Sequence, residues 1–238
     1  MEHEHTAEAI RARLAAGPRL SYLRDWIYGG IDGSVTTFAV VSGVMGAELA
    51  ARIIVILGVA NLLGDGFSMA ASNYLGTRTE RQELDALHAQ EGRHIDTDPD
   101  GEREEVRQIF ASKEFAGADL DRAVAVVTSD RERWIRFMLS EEFGLPLEIR
   151  SAARAALRTF SAFFVCWIVP LLPFLLPVPH PFAVSMVMTL LVFFGVGSAR
   201  SAWLTISWWR AGLETLAVGG VAAALAYAAG VFIARFLH

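Results

Sequence analysis

The chain has little of several things that most functional classes require. It contains one cysteine, Cys166, set in an apolar segment, so no disulfide framework is available. It contains one lysine, and its arginines form no basic patch; with a net charge of −5, nucleic acid is not expected as a partner. No glycine-rich phosphate loop and no nucleophile–base arrangement is present, which argues against ATP-driven work and against an enzyme. Charge of either sign is missing from long stretches, because 18 of the 26 acids lie between residues 77 and 151. That profile excludes a soluble domain with one large core and fits a membrane protein with one aqueous insertion. The opening "MEHEHTAEAIRARLAAGPRLSYLRD" has no apolar core of its own and is not read as a cleavable signal peptide.

What is present is apolar sequence in long runs. A helix needs about 20 apolar residues to cross roughly 30 Å of hydrocarbon. Five segments are expected to do so, at about 26–47, 52–76, 156–178, 181–203 and 212–236. The chain thus divides into an amino-terminal arm (1–25), a first pair of spans (26–76), an aqueous insertion (77–151) and three further spans (152–238). Gly17-Pro18 breaks the arm, and "PLLPFLLPVPHP" closes the third span and turns into the fourth. With five spans, 19 of the 21 basic residues fall on one face, leaving only Arg52 and Arg235 on the other, so the amino terminus is expected in the cytoplasm. The tryptophans of "WLTISWWRAG" (203–212) fit interfacial anchoring, and His3, His5 and His180 read as solvated. Twenty arginines to one lysine hint at a GC-rich bacterial source, in which the membrane is the plasma membrane.

The insertion is expected to form three helices, with "ADLDRAVAVVTSDRERWIRFMLSEEFG" as a single helix capped by Asp119 and stopped at Gly144 before Pro146. The apolar positions Val106, Ile109, Phe110, Val124, Val127, Ile135 and Leu139 are expected to pack these helices into a small bundle. The fold class is therefore an all-α membrane protein: five transmembrane helices with a three-helix cytoplasmic insertion between the second and third.

Within the second span, "ANLLGDGFSMAASNY" places Asn61, Asp65, Met69 and Asn73 at intervals of four, one slowly turning stripe on a helix. A carboxylate at the bilayer centre costs roughly 2.5–3.5 kcal/mol on insertion scales, so it is retained where it meets a partner, water or an ion. Asp32, in "YGGIDGSVTTF", and Asp65 are both flanked by glycine; Glu48, in a short turn, reads as solvated. The competing reading makes Gly29-x-x-x-Gly33 a helix-packing face with Asp32 hydrogen-bonded to Thr36 or a neighbour. Carboxylates together with a thioether favour a transition metal over Mg²⁺ or Ca²⁺. The stripe is thus read as a cation path.

The insertion carries a second set of ligand types. Glu91 and His94 stand at i, i+3, Glu102 and Glu105 at i, i+3 on the next helix, and Met138 and Glu142 at i, i+4 on the third. Any one such pair is usually a solvated helix face. Three pairs on adjacent helices point to a metal cluster, and Glu-x-x-His is also a spacing of carboxylate-bridged di-iron bundles.

"YGGIDGSVTTFAVVSGV", "ANLLGDGFSMAASNYLGTRTERQE", the Glu-rich insertion and "FMLSEEFGL" together resemble the vacuolar iron transporter family. The resemblance runs from about residue 22 to the last span. It implies a homodimer in the lipid bilayer that exports Fe²⁺, and often Mn²⁺, from the cytoplasm in exchange for protons, with no resident cofactor. It implies path-lining roles for Asp32 and Met69, and a cytoplasmic site at Glu91, His94, Glu102, Glu105, Met138, Leu139 and Glu142. His94 stands where the family usually has glutamate, Leu139 replaces a second methionine, and Asn61 stands where some relatives carry an acid. Histidine is a competent ligand for Fe²⁺, Mn²⁺ or Zn²⁺, with Zn²⁺ or Co²⁺ as bound surrogates. The expected mechanism is collection of metal on the insertion and its passage to Asp32 and Met69, with Asp65, where metal and proton compete for one carboxylate. The alternatives are a membrane-anchored iron sensor or buffer without transport, and a ferroxidase-type enzyme with bridging carboxylates.

Overall fold

The computed structural model describes residues 4–17, 20–202 and 205–237, and the regular elements among them are all helical: α1 (Ala7–Ala16), α2 (Leu23–Gly46), α3 (Ala51–Asn61), a π-helical turn (Leu62–Gly66), α4 (Phe67–Thr97), α5 (Pro99–Ser112), α6 (Gly117–Thr128), α7 (Arg131–Glu141), α8 (Ala152–Leu175), α9 (Pro181–Ala199) with a 3₁₀ turn (Arg200–Ala202), and α10 (Trp208–Leu237). Pro18, Arg19, His3 and Trp203 lie outside the described residues. Two compact units are formed, one from Met1–Leu20 with Gly76–Arg150, the other from Ser21–Leu75 with Ser151–His238.

In the second unit, Ala51–Thr97, Ala152–Leu175, Pro181–Ala202 and Trp208–Phe236 are each long and apolar enough to cross a membrane; the first of these runs on into the other unit. The helix expected as the first span, α2, has the length at 24 residues but is more polar than these four. Asp32, five glycines and four serines and threonines dilute its apolar content. Its neighbours compensate, because α2 packs against α3, α8, α9 and α10. Gly29 and Gly33 make the closest approach: a Cβ at either would stand 2.2 Å from Thr159 O or 2.5 Å from Phe163 O of α8. Only the missing side chain allows the two backbones to meet.

The proline-rich segment does not end α8 early; the helix runs through Pro170 and Pro173 to Leu175. Pro170 has no N–H for the carbonyl one turn back, at Cys166. The buried Ser34 hydroxyl of α2 donates to that carbonyl instead, at 3.4 Å. Trp167 Nε1 donates to Gly58 O at 2.7 Å and ties α8 to α3. At the start of α10, Trp208 and Trp209 are exposed, with Arg210 5.0 Å from the Trp209 ring.

The unit containing the insertion corrects one expectation. Residues 118–144 are not one helix but two, α6 and α7, so the insertion has four helical segments. The break falls at Ser129-Asp130, where side chains compete with the helix for backbone partners. Ser129 Oγ donates to Val126 O at 2.8 Å, and Asp130 Oδ1 accepts from Arg133 N at 2.8 Å, capping α7. Asp119 is not a cap; it lies in the first turn of α6, whose cap position is Ala116. Gly144 turns the chain at φ +63°, and Leu145 N donates to Leu139 O, which closes α7. Val106, Val124, Val127, Ile135 and Leu139 are buried together with Ile95, Trp134 and Met138; Ile109 and Phe110 flank them.

Candidate metal sites

The last turns of α4 carry Glu91 and His94, one turn apart on one face. Asp98 then caps α5 by accepting from Gly101 N at 3.1 Å, with Pro99 at the first helical position. This abrupt restart puts Glu102 in the first turn of α5, facing back. His94 Nδ1 lies 3.4 Å from Glu102 Oε1 and 3.7 Å from Glu91 Oε1. One ligand atom from each of the three residues falls within 4.8 Å of the others. A cation with bonds of about 2.1 Å separates its ligand atoms by about 3.0–3.4 Å, so small adjustments would close this set on an ion.

The burial of the two glutamates is costly. Glu91 is 1% and Glu102 6% exposed, and among the described residues neither Glu91 Oε2 nor Glu102 Oε2 has a hydrogen-bond partner. A buried carboxylate with an unpaired oxygen is destabilising unless a proton or a cation neutralises it. Burial, with the charges of Glu105 and Glu91 added and His94 opposing, pushes Glu102 up to about 7. Glu91 is likewise raised by burial, with His94 opposing and Glu105 adding. Burial also raises Glu142, with Glu105 and Glu91 adding. Glu105 and Glu142 are therefore near enough for their charges to act on the cluster. Met138 is fully buried in the apolar core beside Ile135 and Leu139. Arg131 braces the site from α7, donating to Gly92 O at 2.8 Å and to Asp96 Oδ2 at 2.8 Å.

In the other unit, Asp32 and Met69 line one cleft of about 370 Å³, together with Tyr28, Ile31, Val35, Val218, Gly219 and Ala222. Gly29 and Gly33 meet α8 while Asp32 faces this cleft, so the packing face and the cleft-facing carboxylate lie on different sides of one helix. Thr36 Oγ1 donates to the backbone carbonyl of Asp32 at 2.8 Å, not to its carboxylate; among the described residues no donor is bonded to that carboxylate. Asp65 is exposed on the π-helical turn, hydrogen-bonded by Asn61 Nδ2, and its charge acts on Asp32. Asn61 Oδ1 lies 3.1 Å from Thr36 Oγ1 and shares that hydroxyl's single hydrogen with the Asp32 carbonyl.

Asn73 leaves the ligand stripe. Its amide donates to Asp25 Oδ1 at 2.9 Å and to Thr159 Oγ1 at 2.7 Å. Asp25 is 1% exposed and Thr159 2%. Sequence reasoning missed Asp25 by assigning it to the arm. Its position seven residues before Asp32, two turns earlier on the same face, was the available signal.

A family model described as the VIT family matches residues 23–231. Similar proteins include a vacuolar iron transporter of Plasmodium berghei, 28% identical over 224 residues that cover 89% of this chain and 82% of that protein. Vacuolar iron transporter 1 of Arabidopsis thaliana is 28% identical over 209 residues, 86% of this chain and 83% of that protein. A vacuolar iron transporter of Toxoplasma gondii is 29% identical over 157 residues, 65% of this chain and 52% of that protein, so the matched region spans about half of that relative.

Proposed function

The chain belongs to the VIT family, and from that premise we propose that it carries Fe²⁺ or Mn²⁺ out of the cytoplasm across a membrane in exchange for protons. The observation that carries this reading is the cleft shared by Asp32 and Met69, in which a half-buried carboxylate, bonded to no donor among the described residues, stands with a thioether. Such a carboxylate accepts either a proton or a divalent ion, and occupancy by one excludes the other. Alternation between the two is the chemical basis of exchange. Asp32 and Met69 supply oxygen and sulfur to the ion, and Asp65 adds negative charge nearby. Glu91, His94 and Glu102, with Glu105, Met138 and Glu142, gather the ion from water beforehand. The protein works as a five-span homodimer with its amino terminus in the cytoplasm, and in a bacterium it sits in the plasma membrane. Its work is transport, not catalysis.

In proteoliposomes, Asp32→Asn is expected to abolish Mn²⁺ uptake driven by a pH gradient while the protein still inserts and elutes as the wild type does. Undiminished flux in that variant would remove Asp32 from the path. The second reading, a metal buffer or sensor, draws on the unpaired buried oxygens of Glu91 and Glu102. It predicts stoichiometric Mn²⁺ binding by the wild type with no uptake into vesicles.

A further inference from the structure

The stripe Asn61, Asp65, Met69, Asn73 contains two amides that neither the cleft nor the cluster uses. Both cross to other helices. Asn61 Oδ1 takes the Thr36 hydroxyl of α2, and the Asn73 amide spends both of its hydrogens, one on Asp25 of α2 and one on Thr159 of α8. Along α2 the order is Asp25, Asp32, Thr36; along the 51–97 helix the matching order is Asn73, Met69, Asn61. The two helices therefore run in opposite directions, and Asp32 and Met69 lie between the two amide contacts.

Resting on the carrier reading above, we propose that Asn73, with Asn61 at the other end, is a positioning residue that holds Met69 opposite Asp32. The need for it comes from the backbone. The π-helical turn Leu62–Gly66 lies between Asn61 and Met69. A π-turn inserts an extra residue and rotates every side chain beyond it by roughly a quarter turn or more. Asn61, placed before the turn, cannot by itself set the direction in which Met69 points. Asn73 stands one helical turn beyond Met69, about 6 Å along the axis, and fixes the phase of the helix after the irregularity. An amide suits this task because its two N–H groups satisfy two buried acceptors without placing another charge beside the path. Asp25 and Thr159 are nearly inaccessible, so an apolar residue at position 73 would remove a donor from each.

The test is a double-mutant cycle on the full-length protein in proteoliposomes, with Mn²⁺ as the probe ion and KM as the readout. Asn73→Leu is expected to raise KM about tenfold in the wild-type background and less than twofold in a Met69→Leu background, because its effect runs through the thioether. An equal factor in both backgrounds, as a merely structural residue would give, overturns the proposal; so does an unchanged KM in the wild-type background. Should Asn73→Leu fail to insert, Thr159→Val removes one of the two acceptors isosterically and is read by the same criteria. Should Met69→Leu leave too little flux, the cycle is read on Mn²⁺ dissociation constants in detergent. Absence of uptake by the wild type itself refutes the carrier reading and this proposal with it, whereas wild-type uptake with an additive cycle refutes this proposal alone.

Discussion

Glu102 gives the site on the insertion a measurable signature. Its carboxyl is held at about 7 by burial first and by the neighbouring carboxylates second. A metal takes the carboxylate form, so binding must expel whatever proton the residue holds. At pH 7 that is about half a proton per ion from this residue, at pH 6 about nine-tenths, and at pH 8 about one-tenth. The same competition makes the apparent affinity rise about fivefold between pH 6 and 7 and less than twofold between pH 7 and 8. Calorimetric titration of the detergent-solubilised, full-length protein with Mn²⁺, repeated in buffers of different ionisation enthalpy, counts these protons directly. Glu102→Gln keeps the shape of the side chain but has no proton to lose. At saturating metal it is expected to release less than the wild type by about those amounts at each pH, and to bind more weakly by at least about tenfold. Proton release by the wild type that is the same at pH 6 and pH 8 would refute the argument, as would a Glu102→Gln variant that releases as many protons as the wild type.

The features legible in the sequence share a cause: each is dictated by local periodicity or composition. The i, i+3 spacing of Glu91 and His94, and the acidic start of the next helix, are enough to bring three carboxylate and imidazole side chains together, because Asp98-Pro99 reverses the chain within a few residues. The long apolar runs marked α8, α9 and α10 for the same reason. What was not legible depended on partners distant in sequence. The polarity of α2 made sense only against α8, whose backbone lies against its glycines. The stripe from Asn61 to Asn73 reads as one cation path on an even helix, but the π-helical turn changes the phase within it, and its two amides reach Thr36, Asp25 and Thr159. Asp25 shows the limit most plainly. At the edge of an apolar run it falls in the expected arm, and its burial follows from contacts with residues 48 and more positions away. Ser129-Asp130 is the opposite case, a local capping signal inside a pattern that reads as continuously helical.

Two further predictions concern stability. Glu102, Glu91 and Glu142 all bind protons more tightly when folded than an unfolded glutamate does. The metal-free protein is therefore most stable below the unfolded value near 4.5 and loses stability as pH rises toward about 7, where Glu102 ionises in the folded state. Thermal melting in detergent with a chelator is expected to show that decline, and saturating Mn²⁺ to reverse it at pH 7; a melting temperature that rises over this range without metal would contradict the burial argument. The second prediction sets two glycines of one helix against each other. A Cβ on Gly33 would stand 2.5 Å from Phe163 O, so α2 and α8 would have to part by close to 1 Å, an overpacking strain of about 1–3 kcal/mol. A Cβ on Gly43, ten residues further along, meets nothing within 4 Å among the described residues, and alanine there relieves about 0.5–1 kcal/mol of helical penalty. Gly33→Ala is thus expected to lower the melting temperature and Gly43→Ala to leave it unchanged or raise it. Because both substitutions add the same methyl group to the same helix, any general effect of alanine on α2 cancels between them. Equal shifts in the two variants would mean that the close approach of α2 to α8 is not what holds this face together.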